Sequence, residues 1–246
     1  MRRKIYKELI KPFINYSCSR ELKSRLNYLT LQNYNEIQQK GGYKKIKTFK
    51  YMNYTFKTIK TGDKDEVLFM IYKNNRCFLL KIDLENNGLA ILDSFGNDLK
   101  DGGGTIMMNF LLNYIKTYLP NIKRIELTDN SFIMCNKEKI SLSGLYTLIS
   151  GKTWYGKFGF VPVDKNTKKH YKNNINIIEK ITVSDIWNEL EDIFVKYNVE
   201  NNNILLKDIL KQIFKKDCQY YEKIWKILSN KYDIYLMYGK DFVLYI

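Results

Sequence analysis

The chain has 246 residues, of which 45% are hydrophobic and 27% are charged, which excludes a wholly disordered protein. This length allows one sizeable domain with an appendage, or two small domains. No apolar run approaches the roughly 20 residues that span a bilayer, and the basic residues at 1–4 precede no apolar stretch. We therefore expect neither a membrane partner nor a signal peptide.

The cysteine and histidine content argues against a metal site. The four cysteines lie far apart and form no Cys-x-x-Cys pair, and the chain has one histidine, His170. We expect no bound metal, and reduced thiols in a cytoplasmic protein. The cysteines are Cys18, Cys77, Cys135 and Cys218.

Positive charge is concentrated at one end of the chain. The net charge is +15, and residues 1–60 contain fifteen Lys or Arg against three acids, which gives 15 − 3 = +12. The remaining residues carry 26 − 23 = +3. A one-ended positive field attracts polyanions, so nucleic acid is a candidate partner of residues 1–60. The alternative is a solvated basic face that reflects a codon bias towards Lys and Asn, and both interpretations stay open.

The first half of the chain predicts a basic helical segment followed by a sheet. Residues 1–42 are predicted to be helical and to end at Gly41-Gly42, and an extended pattern begins at residue 43. Apolar runs at 67–72, 77–84 and 89–92 predict three antiparallel strands. The Asn87-Gly88 turn between the last two strands suits the positive φ of a type I′ hairpin.

A strand–helix–strand crossover is predicted next. A glycine run at 102–104 precedes a helical pattern at 105–119, and a short apolar strand follows at 122–127. Because a helix connects the two strands, they should be parallel. An irregular segment at 131–142, a helix at 143–157 and a strand at 160–163 complete the predicted core, residues 43–164.

The C-terminal part is predicted to be mainly helical. Residues 165–181 are polar and rich in Lys and Asn, which indicates a linker with His170 on its surface. Residues 182–246 predict three amphipathic helices and a closing hairpin of 235–237 and 242–246. This element order is that of a DNA-reading winged helix. The alternative, favoured by the mixed charge of the helices, is a helical cap whose last strand completes the sheet of the core.

Two motifs of the predicted core carry candidate chemistry. A glycine run that opens a helix presents backbone N–H groups able to hold a pyrophosphate, and neither a dinucleotide fingerprint nor a Walker A lysine is present. The second motif is Gly151-Lys152-Thr153-Trp154-Tyr155-Gly156-Lys157-Phe158-Gly159-Phe160. The sequence predicts an antiparallel meander, then a glycine-rich crossover, then a helix that ends in Tyr-x-x-x-Gly-Phe. This order resembles the GNAT acetyltransferase superfamily, including GNAT-like proteins of large eukaryotic DNA viruses.

The resemblance implies a mixed α+β (α/β) fold with a GNAT-like mixed sheet and central, splayed parallel strands. It implies acetyl-CoA as co-substrate, with Tyr155 as the acid that protonates the leaving thiolate. The substrate amine must also lose a proton, to a base or to a chain of water molecules, and either Asp93 or Asp129, at the ends of the two parallel strands, could be that base. The residues expected to bind the coenzyme are Ser94, Phe95, Gly102, Gly103, Gly104 and Thr105.

The chain also departs from the family pattern. Leu99 stands where Gln or Arg is usual, Leu148 stands where Asn is often found, and the segment at 131–142 is longer than the usual link. Two functions are therefore carried forward. One is an acetyl-CoA-binding protein that, if catalytic, is an N-acetyltransferase for a protein or small-molecule amine. The other is a non-catalytic viral protein of the host cytoplasm or virion that binds nucleic acid, or packs in the virion, through its basic region.

Overall fold

The structure is a computed structural model that describes residues 44–51, 54–61, 66–73, 76–85, 88–97, 103–136 and 138–246. The helix predicted within residues 1–42 lies outside the described residues. Contacts divide the chain into two units. Unit 1 consists of the residues up to Glu126 together with Tyr245–Ile246, and unit 2 is Leu127–Leu244. The described part combines a mixed sheet with six α-helices, which confirms the mixed α+β class.

Five strands of unit 1 form an antiparallel meander, because each strand pairs with the next one along the chain. The three strands predicted at 67–72, 77–84 and 89–92 are confirmed as β3, β4 and β5. The five strands are β1 Lys44–Tyr51, β2 Tyr54–Thr61, β3 Glu66–Lys73, β4 Arg76–Glu85 and β5 Leu89–Asn97.

The turn before β5 depends on glycine. Gly88 has φ +75°, and a Cβ there would lie 2.7 Å from the backbone oxygen of Asn121. The backbone N–H of Lys123 donates to the Gly88 carbonyl at 2.7 Å. Positive φ and lack of space both exclude an ordinary side chain at position 88. Because Glu85 pairs with Leu89, the loop has three residues, so it is not the two-residue type I′ turn that the sequence predicts.

The predicted crossover is confirmed as helix α1, Gly103–Tyr118, followed by strand β6, Arg124–Thr128. β6 pairs in parallel with β5 through three residue pairs, from Leu89↔Arg124 to Ile91↔Glu126. The glycine run is not wholly a loop, because Gly103 and Gly104 already belong to the first turn of α1.

Unit 2 corrects two expectations for residues 131–157. The segment predicted to be irregular is a hairpin of β7, Phe132–Cys135, and β8, Glu138–Ser141. The single helix predicted at 143–157 is wrong. Helix α2, Leu142–Ser150, ends at Gly151, which adopts φ +72° and donates its N–H to Thr147. A Cβ on Gly151 would also lie 3.0 Å from the Ile175 Cα, so the left-handed residue that ends α2 has no room for a side chain.

The linker predicted at 165–181 is also wrong, because helix α3 occupies Lys165–Ile178. Asp164 caps the helix by accepting a hydrogen bond from the Thr167 N–H at 2.6 Å. Thr167, Tyr171, Asn174 and Ile178 form the buried face of α3. His170 is half-buried, with its ring stacked on Tyr235 at 4.5 Å.

Three further helices confirm the helical prediction for the C-terminal part. The prediction of a closing hairpin is wrong, because residues 235–237 form no strand. Strand β10, Asp241–Tyr245, instead pairs antiparallel with the two-residue strand β9, Val161–Pro162. The strand order is β1-β2-β3-β4-β5-β6-β10-β9. The helices are α4 Trp187–Lys196, α5 Leu206–Lys216 and α6 Tyr221–Tyr232, and their apolar faces join the core of unit 2 around Phe194, Leu210 and Leu228.

Cys135 and Cys218 form a disulfide that links β7 to the segment before α6, with their Cα atoms 6.0 Å apart. The expectation of reduced thiols is therefore wrong for this pair. The state of these two cysteines gives no support to a cytoplasmic location. Within the residues that the structure describes, no helix is both long and apolar enough to cross a membrane.

Candidate functional site

Asp129 follows directly after β6 and is fixed by the segment that leads into β10. Its backbone N–H donates to the Lys240 carbonyl at 2.9 Å, and its carbonyl accepts from the Gly239 N–H at 2.8 Å. The neighbouring Thr128 hydroxyl donates to the Asp241 carboxylate at 2.6 Å. These bonds hold the backbone of Asp129 against the segment before β10, so its side chain has a defined position.

The carboxylate of Asp129 is fully buried and only half satisfied. Its Oδ1 accepts hydrogen bonds from the backbone N–H and the hydroxyl of Ser131. Its Oδ2 is buried and has no hydrogen-bond partner among the described residues. Buried polar atoms normally have partners, so an unpaired carboxylate oxygen marks a place where a proton or a ligand group can be accepted.

Burial raises the pKa of Asp129 to about 6, although the two Ser131 hydrogen bonds act in the opposite direction. Desolvation disfavours the charged carboxylate more strongly than Ser131 stabilises it. At pH 7 the group is mostly ionised but close to its titration range. A carboxylate of this kind can take up a proton during a reaction near neutral pH.

Tyr155 begins a 3₁₀ turn, Tyr155–Phe158, rather than lying within a longer α-helix. Its side chain is buried, and its ring packs edge-on against Trp154 at 4.9 Å and against Phe160 at 5.9 Å. Burial raises the pKa of Tyr155, and the negative charge of Asp129 raises it further. The phenol therefore keeps its proton at neutral pH and can act as a donor.

Tyr171 on α3 is a third member of this site, and sequence analysis missed it because its surroundings resemble a linker. Burial raises its pKa, the hydroxyl and N–H of Thr153 lower it by hydrogen bonding, and the charge of Asp129 raises it. The Thr153 Oγ1 also accepts from the Gly156 N–H at 3.1 Å. The Tyr171 hydroxyl occupies the space where a Gly156 side chain would begin. Tyr171 and Thr153 therefore position the turn that carries Tyr155.

The structure thus brings together two predicted catalytic residues and three unpredicted neighbours. We call this set the Asp129 cluster. All of its members lie in unit 2, and they are Asp129, Ser131, Thr153, Tyr155 and Tyr171. The arrangement combines a carboxylate that can accept a proton with phenols that can donate one.

The other predicted site residues belong to unit 1. Asp93, Ser94 and Phe95 lie in the second half of β5, and their side chains are outside the described part. Gly102 also lies outside the described residues. Gly103, Gly104 and Thr105 form the first turn of α1.

Among the described residues, no group of three or more His, Cys, Asp or Glu side chains is arranged to hold a metal ion. Comparisons of the whole chain find no match among protein-family models, curated proteins or solved structures.

Proposed function

We propose that this chain is a GNAT-like protein that binds acetyl-CoA and transfers the acetyl group to an amine of a protein or a small molecule. The observation that carries the proposal is the electrostatic interaction of Asp129 with Tyr155 in one buried environment. One is a buried carboxylate with a free oxygen and a pKa of about 6, and the other is a phenol whose pKa is raised. Acetyl transfer to an amine needs a group that takes a proton and a group that gives one.

The proposed reaction assigns one step to each group. An alkylamine has a pKa near 10.4 and is protonated at neutral pH, so the Asp129 carboxylate takes one proton from it. The freed nitrogen lone pair attacks the thioester carbonyl, and the carbon–sulfur bond then breaks. Tyr155 gives its proton to the leaving thiolate, and the nitrogen of the new amide releases its second proton to solvent. Asp129 then loses its proton to solvent and Tyr155 regains one. Of the two candidate bases, Asp93 and Asp129, we prefer Asp129. Its Oδ2 is buried and accepts no hydrogen bond from the described residues.

The fold of unit 1 supports coenzyme binding. β5 and β6 are parallel and joined through α1, and their pairing covers only the first three residues of each strand. Backbone groups beyond the paired region, around Asp93, would then be available to the pantetheine chain. The partial positive charge at the start of α1, with Gly103, Gly104 and Thr105, suits a pyrophosphate.

Isothermal titration of the folded chain with acetyl-CoA tests this proposal. We expect saturable heat, and release of free coenzyme A thiol when spermidine, tyramine or a lysine tripeptide is added. Asp129→Asn should retain coenzyme binding and lose thiol release. Absence of heat at high micromolar acetyl-CoA, from a sample with a cooperative unfolding transition, contradicts the proposal.

A second candidate function rests on a different observation, the net charge of +12 within residues 1–60. In this alternative the fold is retained without catalysis, and the basic region binds nucleic acid or packs within a virion. Binding to a random duplex should weaken steeply with salt. Binding that is insensitive to salt contradicts this alternative.

A further inference from the structure

Helix α3 carries a block of positive charge without a compensating acid. Its sequence, Lys165–Ile178, contains four lysines and no Asp or Glu. The nearest acids in sequence flank the helix: Asp164, whose carboxylate is bonded to Thr167, and Glu179 at the C-terminal end. The charge of α3 is therefore not neutralised along its own length.

The lysines are on the face that packing leaves exposed. Lys165, Lys169 and Lys172 are exposed at spacings of four and three residues, which places them in one stripe along the helix. The other exposed positions of α3 are Asn166, Asn173 and Asn176. The exposed face thus consists of ammonium and amide groups, and it presents no large apolar side chain.

Among the described residues, these charges contribute no ion pair to the fold. Elsewhere in unit 2, Lys223 pairs with Asp192 at 2.7 Å and Lys231 pairs with Glu189 at 2.6 Å. Within the described part of the chain, the lysines of α3 form no salt bridge. The helix is held instead by its opposite face, where the Asn174 amide donates to the Tyr235 carbonyl at 2.7 Å and accepts from the Tyr235 N–H at 2.9 Å.

We propose that the exposed face of α3 binds the phosphate backbone of nucleic acid. Lys165 to Lys172 covers about 10 Å of helix axis at 1.5 Å per residue. That length corresponds to about three nucleotides of one strand at 3.4 Å each. Lysine ammonium groups and asparagine amides are both donors that contact phosphates and sugars without reading sequence. This surface lies in unit 2, and the inference is independent of the acetyl-transfer proposal.

The composition of the face favours nucleic acid over a lipid surface. A helix that binds a membrane inserts apolar side chains between the headgroups. The apolar residues of α3 are instead used inside the fold, where Tyr171 and Ile178 are buried. A wholly polar basic face matches a ligand that keeps its phosphates in water.

The test measures binding of the full chain to a fluorescein-labelled 16-base-pair random duplex between 50 and 300 mM salt. The variant replaces Lys165, Lys169 and Lys172 with Gln. A matched control replaces Lys211, Lys215 and Lys216, exposed lysines of α5, with Gln and so removes the same charge from the same unit. Each lost phosphate contact lowers the steepness of log K against log salt by about 0.9. We expect a reduction of about 2.7 for the α3 variant and little change for the control.

A second measurement uses the unmodified chain and does not depend on how a variant folds. Lysines are acetylated by a reactive ester with and without the duplex, and the modified positions are read by mass spectrometry. Protection of Lys165, Lys169 and Lys172, with unchanged labelling on α5, supports the proposal. Equal effects of both triple variants, unprotected α3 lysines, or binding to vesicles with 30% phosphatidylserine in preference to the duplex overturn it.

Discussion

Asp129 and Tyr155 share one buried electrostatic environment, although the β7–β8 hairpin and α2 separate them in the chain. Burial raises the pKa of both groups, and the negative charge of Asp129 further disfavours ionisation of Tyr155. Burial alone therefore moves the carboxylate towards neutrality while keeping the phenol protonated. The fold produces an acceptor and a donor of protons in one place.

The Asp129 carboxylate should reduce the stability of the folded chain at neutral pH. Its pKa rises from 3.8 to about 6 on folding, so the folded state binds the proton more tightly than the unfolded state. This contribution favours folding below pH 3.8 and is lost as the pH rises through 6. A shift of about two units corresponds to roughly 3 kcal/mol. Asp129→Asn should therefore raise the free energy of unfolding at pH 7.5, by up to that amount, and much less at pH 4.

Urea unfolding of both proteins at several pH values measures this difference. Asp192→Asn is the matched control, because Asp192 is exposed and bonded to Lys223, and its pKa is lowered rather than raised. The control should lose a little stability at neutral pH. If Asp129→Asn is less stable than the original chain at pH 7.5, the ionised carboxylate makes a stabilising interaction in the folded state and the prediction is wrong.

Tyr155→Phe tests catalysis at the level of one hydroxyl. If Tyr155 protonates the leaving thiolate, thiol release should fall by about 10²–10⁴, while acetyl-CoA affinity stays nearly constant. Tyr221→Phe is the control, since Tyr221 is also buried and its pKa is also raised by burial. Equal rates for the original chain and both variants exclude Tyr155 as the acid.

Gly156 and Tyr171 should show strong energetic coupling. A Cβ on Gly156 has no space beside the Tyr171 hydroxyl, so Gly156→Ala alone should destabilise the chain by about 1–3 kcal/mol. Tyr171→Phe removes that hydroxyl and its hydrogen bonds to Thr153, at a cost of about 1 kcal/mol. In the double variant the alanine gains space, so the combined loss should be smaller than the sum. Strictly additive losses in chemical denaturation contradict the described contact.

The Cys135–Cys218 disulfide should stabilise unit 2. The bond joins residues with a sequence separation of 83, and a loop of that length is expected to contribute about 4.5 kcal/mol through the unfolded state. Replacing both cysteines with Ser should lower the unfolding midpoint, and a reducing agent should lower it for the original chain only. A double variant whose stability under oxidising conditions matches the original shows that the bond does not form in solution.

Sequence patterns were sufficient where local periodicity and turn chemistry decide the structure. The alternating apolar runs predicted β3, β4 and β5, and the Asn87-Gly88 turn agrees with the positive φ of Gly88. The three C-terminal amphipathic helices were predicted for the same reason, because each buries one apolar stripe. The resemblance also selected Asp129 and Tyr155 as site residues, but it did not indicate that they interact.

Tertiary contacts decided the rest. Helix α3 was predicted to be a linker because its Lys and Asn residues give little apolar periodicity, yet the Asp164 cap and the buried Tyr171, Asn174 and Ile178 stabilise it. Helix α3 also packs closely against Gly151, the residue at which α2 ends. The sequence by itself predicted the strands of the meander and the helices with clear apolar stripes, and it suggested Asp129 and Tyr155 as candidate site residues. Only the tertiary structure placed Tyr171 beside Gly156 and left Asp129 Oδ2 without a hydrogen-bond partner among the described residues, because burial and distance between remote segments are not encoded in local spacing.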